Sequence, residues 1–301
     1  MIDCLVTGAG GALGSVLMRV LHEEQRTAFG MISSAGPEPN VGKFMRTDLT
    51  DADGYRDRIV AMRPRLILHL AAVSQVAAAH SDPDRARAVN VDATIQLLDI
   101  ARRVGARFVY VSTDLVFDGE AAPYREDMAT EPCSFYGRTK LEAECYVLGY
   151  ARGLVLRLPL MYGFPEATRP PTFFESMLRA LRERRPIPLF EDEFRTPLWL
   201  DDAARACSAL GHTEAVGVIH VGGPERLSRL EMGRRIVAAV GGDESLLVAT
   251  QRSAFAAPEP RPRDVSLMNT RYQALYREPV GRPMDQALRL AFLRGGSRLL
   301  S

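Results

Sequence analysis

A short apolar run at the start of the chain leads into VTGAGGALGS and then into GSVLMRVLHEE, whose apolar residues recur at helical spacing. That order constrains the fold more than any other feature. Gly8, Gly11 and Gly14 make G-x-x-G-x-x-G, a variant of the dinucleotide-binding turn. Gly8 permits the tight turn, Gly11 lets backbone N–H groups approach a pyrophosphate, and Gly14 lets the helix pack closely on the strand. The stretch from Gly11 through Ala12 and Leu13 to Gly14 is therefore the expected phosphate cradle, and the helix N-terminus adds partial positive charge. A glycine-rich loop alone is only a flexible turn. A strand before it and an amphipathic helix after it make it a cofactor loop.

The first half continues in the same alternation. TAFGMIS, RLILHLAA, ARFVYVST and GLVLRLPL read as strands, with helical stretches such as ARAVNVDATIQLLDIARRVG and YGRTKLEAECYVLGYA between them. Strands that are apolar throughout belong in a parallel sheet covered on both faces. The expected fold is α/β, a Rossmann-type doubly wound parallel sheet with a small C-terminal substrate lobe, and ligands at the carboxyl ends of the strands. Residues 1–163 form the dinucleotide-binding domain, with returning segments near 195–222; residues 164–301 are mainly the substrate-binding lobe. The net charge of +1 gives no global field for nucleic acid or an anionic membrane, so an anionic ligand needs a few placed cations. Cys4, Cys133, Cys145 and Cys207 form no CxxC pair, which favours free thiols over disulfides or a zinc site. No signal peptide or membrane span is read, and the expected location is the cytoplasm.

The end of the second strand sets the cofactor preference. An NAD site usually has Asp or Glu there; here the chain reads GMISSAG, with Ser33 and Ser34. Serine does not repel a 2′-phosphate, so NADP (as NADPH) is favoured over NAD. Asp48 in RTDLTD can meet the adenine edge or serve as a surface cap.

TGAGGALG, ILHLAA, VNVDAT, VYVSTDLVFDG, YGRTK and LRLPLMYG stand in the order and approximate spacing of extended short-chain dehydrogenase/reductases. The chain most resembles the dTDP-4-dehydrorhamnose reductase family, over almost its whole length and most strongly from 1 to 163. The resemblance implies that Tyr136 protonates a carbonyl oxygen, that Lys140 holds the nicotinamide ribose, and that Thr113 hydrogen-bonds the same carbonyl. It also implies cofactor contacts at Leu49, Ala71, Ala72 and Asn90, the last by supporting Lys140 through water and backbone unless it is simply a polar residue near a helix start, and substrate contacts at Ser74 and Asp114. Positions 136 and 140 share one helix face, so an ammonium there is expected to lower the phenol pKa. His69 is read as a satisfied strand residue. Arg195 in RTPLWLDD and Arg261 in RPRD resemble family segments that contact a nucleotide diphosphate, and their alternative is an ordinary ion pair.

Dehydratases of this fold carry Asp–Glu after the threonine; here Asp114 is followed by Leu115, so one of the two proton-transfer groups is missing. Ketone reduction needs only hydride and one proton. The resemblance therefore implies NAD(P)H-dependent reduction of a nucleotide-linked 4-keto-deoxysugar. Two alternatives stay open: an epimerase of the extended family, and a non-catalytic NADP-binding regulatory subunit like that of methionine adenosyltransferase. No metal is expected. A homodimer is expected, through the helices following residues 85 and 136.

Overall fold

The computed structural model describes residues 2–33, 36–166 and 171–295. Ser34 lies outside the described residues. The early strands are β1 (Cys4–Thr7), β2 (Ala28–Ile32), β3 (Lys43–Arg46), β4 (Leu66–His69), β5 (Arg107–Thr113) and β6 (Gly153–Leu158). Later strands are short: β7 (Met161–Tyr162), β8 (Ile187–Phe190), β9 (Phe194–Arg195), β10 (Leu198–Trp199), β11 (Gly217–His220), β12 (Leu227–Ser228) and β13 (Leu247–Thr250). The central sheet is seven-stranded and parallel, in the order β11-β6-β5-β4-β1-β2-β3. The chain reverses direction across the sheet beside β1, which opens a crevice at the strands' carboxyl ends.

The helices are α1 (Ala12–Glu23), α2 (Arg56–Met62), α3 (Val76–Ser81), α4 (Pro83–Arg87), α5 (Ala93–Val104) and α6 (Phe135–Leu148), then α7 (Phe173–Arg182), α8 (Leu200–Gly211), α9 (Arg229–Val240), α10 (Thr270–Tyr276) and α11 (Met284–Gly295). Strand alternation divides the core between two faces. On one rung Val6, Leu68 and Val109 face α1 and α8; on the next, Leu5, Ile67 and Phe108 face α5 and α6. All six are buried, at about 1.5–3 kcal/mol of favourable transfer for each large side chain. This double burial is why the strands read as unbroken apolar runs. The stretch expected as one helix over residues 86–105 is divided by a π-helical turn, Ala88–Asp92, between α4 and α5. Asn90 lies in that turn.

A separate core, with Tyr162, Phe174, Trp199, Ile236 and Leu288, gathers α7, α9 and α11 beside the paired strands β8 and β13. Helices α7 and α9 both begin with a reciprocal cap, Thr172 with Glu175 and Ser228 with Glu231, as the T-x-x-E and S-x-x-E spacings require. The first caps the lobe at the cavity mouth, and the second fixes where α9 begins. No helix among the described residues is long and apolar enough to cross a membrane.

Candidate active site

One cavity of about 980 Å³ runs along the carboxyl ends of the sheet and under the lobe. At its dinucleotide end, Gly8 turns the chain with φ +69° and its carbonyl receives Gly11 N–H at 2.9 Å. A Cβ on Gly14 would lie 2.0 Å from Gly8 O, so the helix can start this close to the turn only with glycine there. Gly11 caps α1 without a side-chain bond, which leaves the first-turn N–H groups of Ala12, Leu13 and Gly14 without intrahelical partners and facing the cavity. Ser33, Asp48, Leu49, Ala71, Ala72 and Ser74 line the same space. This open, donor-rich cradle fits a dinucleotide. Asp48 is engaged by its own loop: it accepts from Thr50 N at 2.9 Å and pairs with Arg85 at 3.0 Å. These contacts, the Thr50 backbone bond foremost, hold its carboxyl below the usual range.

Strand β5 delivers two hydroxyls with different fates. Ser112 donates to Glu144 behind the sheet end, while Thr113 accepts from Leu115 N at 3.2 Å and stands beside Tyr136. Ser134 caps α6 by accepting from Gly137 N at 3.1 Å, which sets the phase that turns Tyr136 and Lys140 to the cavity. The glycine of YGRTK has its own reason: a Cβ there would lie 2.3 Å from Leu115 O, so only glycine lets α6 press against the end of β5.

The expected lowering of the phenol pKa is not what the structure gives. Burial first, then the Asp114 carboxylate, push Tyr136 up, and the Thr113 hydroxyl only partly opposes them. Lys140 is pushed down to about 7 by burial, against the pull of Glu144. Its Nζ lies 4.0 Å from the Tyr110 ring centroid. The phenol thus holds its proton firmly until something draws it off. His69 is fully buried between Thr7 and Thr94, at 2.6 and 2.9 Å, and burial pushes it down to about 3. It is a neutral strand residue.

At the other end, Arg195 of β9 is buried, 2.9 Å from Asp114 Oδ2 and 3.6 Å from Glu193. Glu193 also takes Arg261 at 2.9 Å and lies 3.8 Å from Arg229. Three guanidiniums therefore face two carboxylates, with one positive charge in surplus. Arg229 opens α9, where a cation meets the positive end of the helix dipole, so its position is held by Glu193 and by Phe173, whose ring centroid is 3.8 Å away. Burial pushes its pKa down to about 10. All four of these wall residues, Glu193, Arg195, Arg229 and Arg261, line the cavity. Among the described residues, no group of three or more His, Cys, Asp or Glu is placed to hold a metal.

Residues 2–290 match the family described as RmlD substrate binding domain. The chain belongs to that family. Among its relatives, a dTDP-4-dehydrorhamnose reductase of Streptomyces griseus is 31% identical over 92% of this chain and 88% of its own. The methionine adenosyltransferase 2 subunit beta of Bos taurus is 30% identical, over 90% and 81%. A crystal structure of dTDP-4-dehydrorhamnose reductase from Bacillus anthracis, in complex with NADP, superposes with a TM-score of 0.86 at 23% identity, covering 97% of this chain and 99% of that one. At that identity the superposition speaks for the fold alone.

In this RmlD-family chain Glu193 and Arg229 carry no local sequence signal: they arrive from separate parts of the lobe and look like an acidic loop and a helix start. Asn90, expected beside the cofactor in support of Lys140, is fully buried behind the wall. There it accepts from Val73 N at 2.8 Å and donates to Thr139 at 2.9 Å. Asn90 thereby joins the loop after β4 to the helix that carries Tyr136 and Lys140.

Proposed function

We propose that this chain reduces a keto group on a nucleotide-linked deoxysugar, at the 4-position as in its reductase relatives, with NADPH. The observation that carries this is the meeting of Thr113, Tyr136 and Lys140 in one cavity, between a glycine-rich cradle and a buried arginine cluster. The dinucleotide, held at Gly8–Gly14 and by Lys140, supplies the hydride. Tyr136 donates its proton to the carbonyl oxygen as negative charge develops there, and Thr113 orients that oxygen by a second hydrogen bond. Arg195 and Arg261, with Arg229, hold the diphosphate; planar guanidiniums suit phosphate oxygens. Leu115 offers no carboxyl for removing water, so dehydration is not part of the chemistry.

NADPH is preferred to NADH because β2 runs into Ser33 with no acid there to repel a 2′-phosphate, and the nearby Asp48 is already paired with Arg85. Two copies pair through α5 and α6, where Tyr146 and Leu148 stand exposed although most apolar residues of both helices are spent on the sheet. A monomeric mass by light scattering at micromolar concentration contradicts the pairing.

The bovine relative supports a second reading, a dinucleotide-binding regulatory subunit without turnover. The purified chain separates them. Oxidation of NADPH that depends on an added dTDP-4-keto-6-deoxysugar is the expected result. Tight NADPH binding with no oxidation for any nucleotide-linked keto sugar favours the second.

A further inference from the structure

The segment 255–262 forms one wall of the cavity and carries a carboxylate that no step above uses. Glu259 stands between Pro258 and Pro260; each proline fixes its own φ and restricts the residue before it, so the backbone under Glu259 is stiff. Its side chain is only 7% exposed. The two carboxylate oxygens are treated differently. Oε1 accepts from Phe135 N at 2.7 Å, at the start of α6 beside Tyr136, and lies 3.5 Å from Arg138 Nη2 and 3.7 Å from His80 Nδ1. Oε2 is buried and has no hydrogen-bond partner among the described residues.

Capping α6 accounts for Oε1 and asks nothing of Oε2. A buried acceptor without a donor is costly, and native proteins leave few of them unless a ligand completes the pairing. Glu259 lines the cavity together with Tyr136 and with Arg261, two residues further along the chain. Tyr136 addresses the reacting carbonyl and Arg261 the diphosphate, so what passes Glu259 is the sugar ring between them. A carboxylate oxygen without a partner calls for an O–H or N–H donor, which excludes a phosphate or carbonyl oxygen; on a sugar ring that donor is a hydroxyl.

We propose that Glu259 Oε2 accepts a hydrogen bond from a hydroxyl of the substrate's sugar ring, making this position a reader of the sugar and not of the nucleotide or the dinucleotide. The inference rests on the nucleotide-sugar reading above. Its test is calorimetric titration of the wild type and of Glu259→Gln with dTDP, dTDP-glucose and NADPH. Glutamine keeps the shape and an oxygen for Phe135 N–H, but turns an amide NH₂ towards the ligand's hydroxyl. The variant is expected to bind dTDP-glucose at least about tenfold more weakly, as befits a lost hydrogen bond to a charged group. Its affinities for dTDP and NADPH should stay within about twofold, with an unchanged melting temperature. Unchanged affinity for dTDP-glucose overturns the assignment. Equal losses for all three ligands with a lower melting temperature also overturn it, leaving Glu259 as a cap. A wild type that binds dTDP and dTDP-glucose equally well keeps the nucleotide-sugar reading and removes the subsite. A wild type that binds NADPH but neither dTDP compound removes both.

Discussion

Tyr136→Phe is expected to lower kcat by about 10²-fold or more while NADPH affinity stays within about twofold. Phenylalanine fills the same space in α6, so the packing against Ala79 and Ala86 is kept and only the phenol oxygen is lost. That oxygen acts on charge that appears only as hydride arrives, so its loss falls on kcat and not on ground-state binding. In the protein alone, burial and the Asp114 carboxylate hold the phenol protonated across neutral pH, the form a proton donor requires. The neighbouring Lys140, itself lowered to about 7, is not the group that sets this state. Steady-state turnover with a keto sugar, beside a fluorescence titration with NADPH, checks both halves. A near-normal kcat removes Tyr136 from proton transfer, and a parallel loss of NADPH affinity makes it a binding residue instead.

The parts of this protein that were legible in its sequence are those encoded by local spacing. The glycine turn, the unbroken apolar strands and Tyr-x-x-x-Lys each need fewer than a dozen residues to be read, and the structure gathers them at the carboxyl ends of one parallel sheet. What stayed hidden depends on long-range assembly. Glu193 and Arg229 lie in two segments whose local patterns are an acidic loop and a capped helix start, and only folding brings them together with Arg261, which its RPRD segment did signal. The direction of the tyrosine shift was misread for a related reason. Spacing reveals that a cation lies one turn away, but not that both groups are buried, and here desolvation outweighs the charge. The π-helical turn at Asn90 has no spacing signal either; it accommodates a side chain that must reach both Val73 and Thr139.

Arg157→Met is expected to cost about 3–5 kcal/mol of stability, a large share of the roughly 5–15 kcal/mol that holds an ordinary domain folded. Arg157 looks like a stray charge inside the strand GLVLRL, yet it is almost fully buried and grips Glu144 of α6 through three contacts: Nη2 to Oε2 at 2.7 Å, and Nε to Oε1 and Oε2 at 3.1 and 3.2 Å. Ser112 of β5 donates to the same carboxylate, so one ion pair ties two central strands to the helix that carries Tyr136 and Lys140. Methionine keeps the bulk but strands a carboxylate, 1% exposed, without its counter-charge. Glu144→Leu together with Arg157→Met removes both charges and should recover most of the loss, because the pair's attraction roughly offsets its desolvation. Urea unfolding of the two variants decides this: a single variant as stable as the wild type, or a double variant no better than the single, means that the pair does not hold the helix in place. The double variant also separates folding from function. Glu144 is the charge that pulls Lys140 upward, so without it the lysine should titrate below its present value near 7 in a protein that is otherwise soundly folded. The site's lysine would then be neutral at a pH where the wild type still carries charge, and NADPH affinity should begin to fall at a correspondingly lower pH.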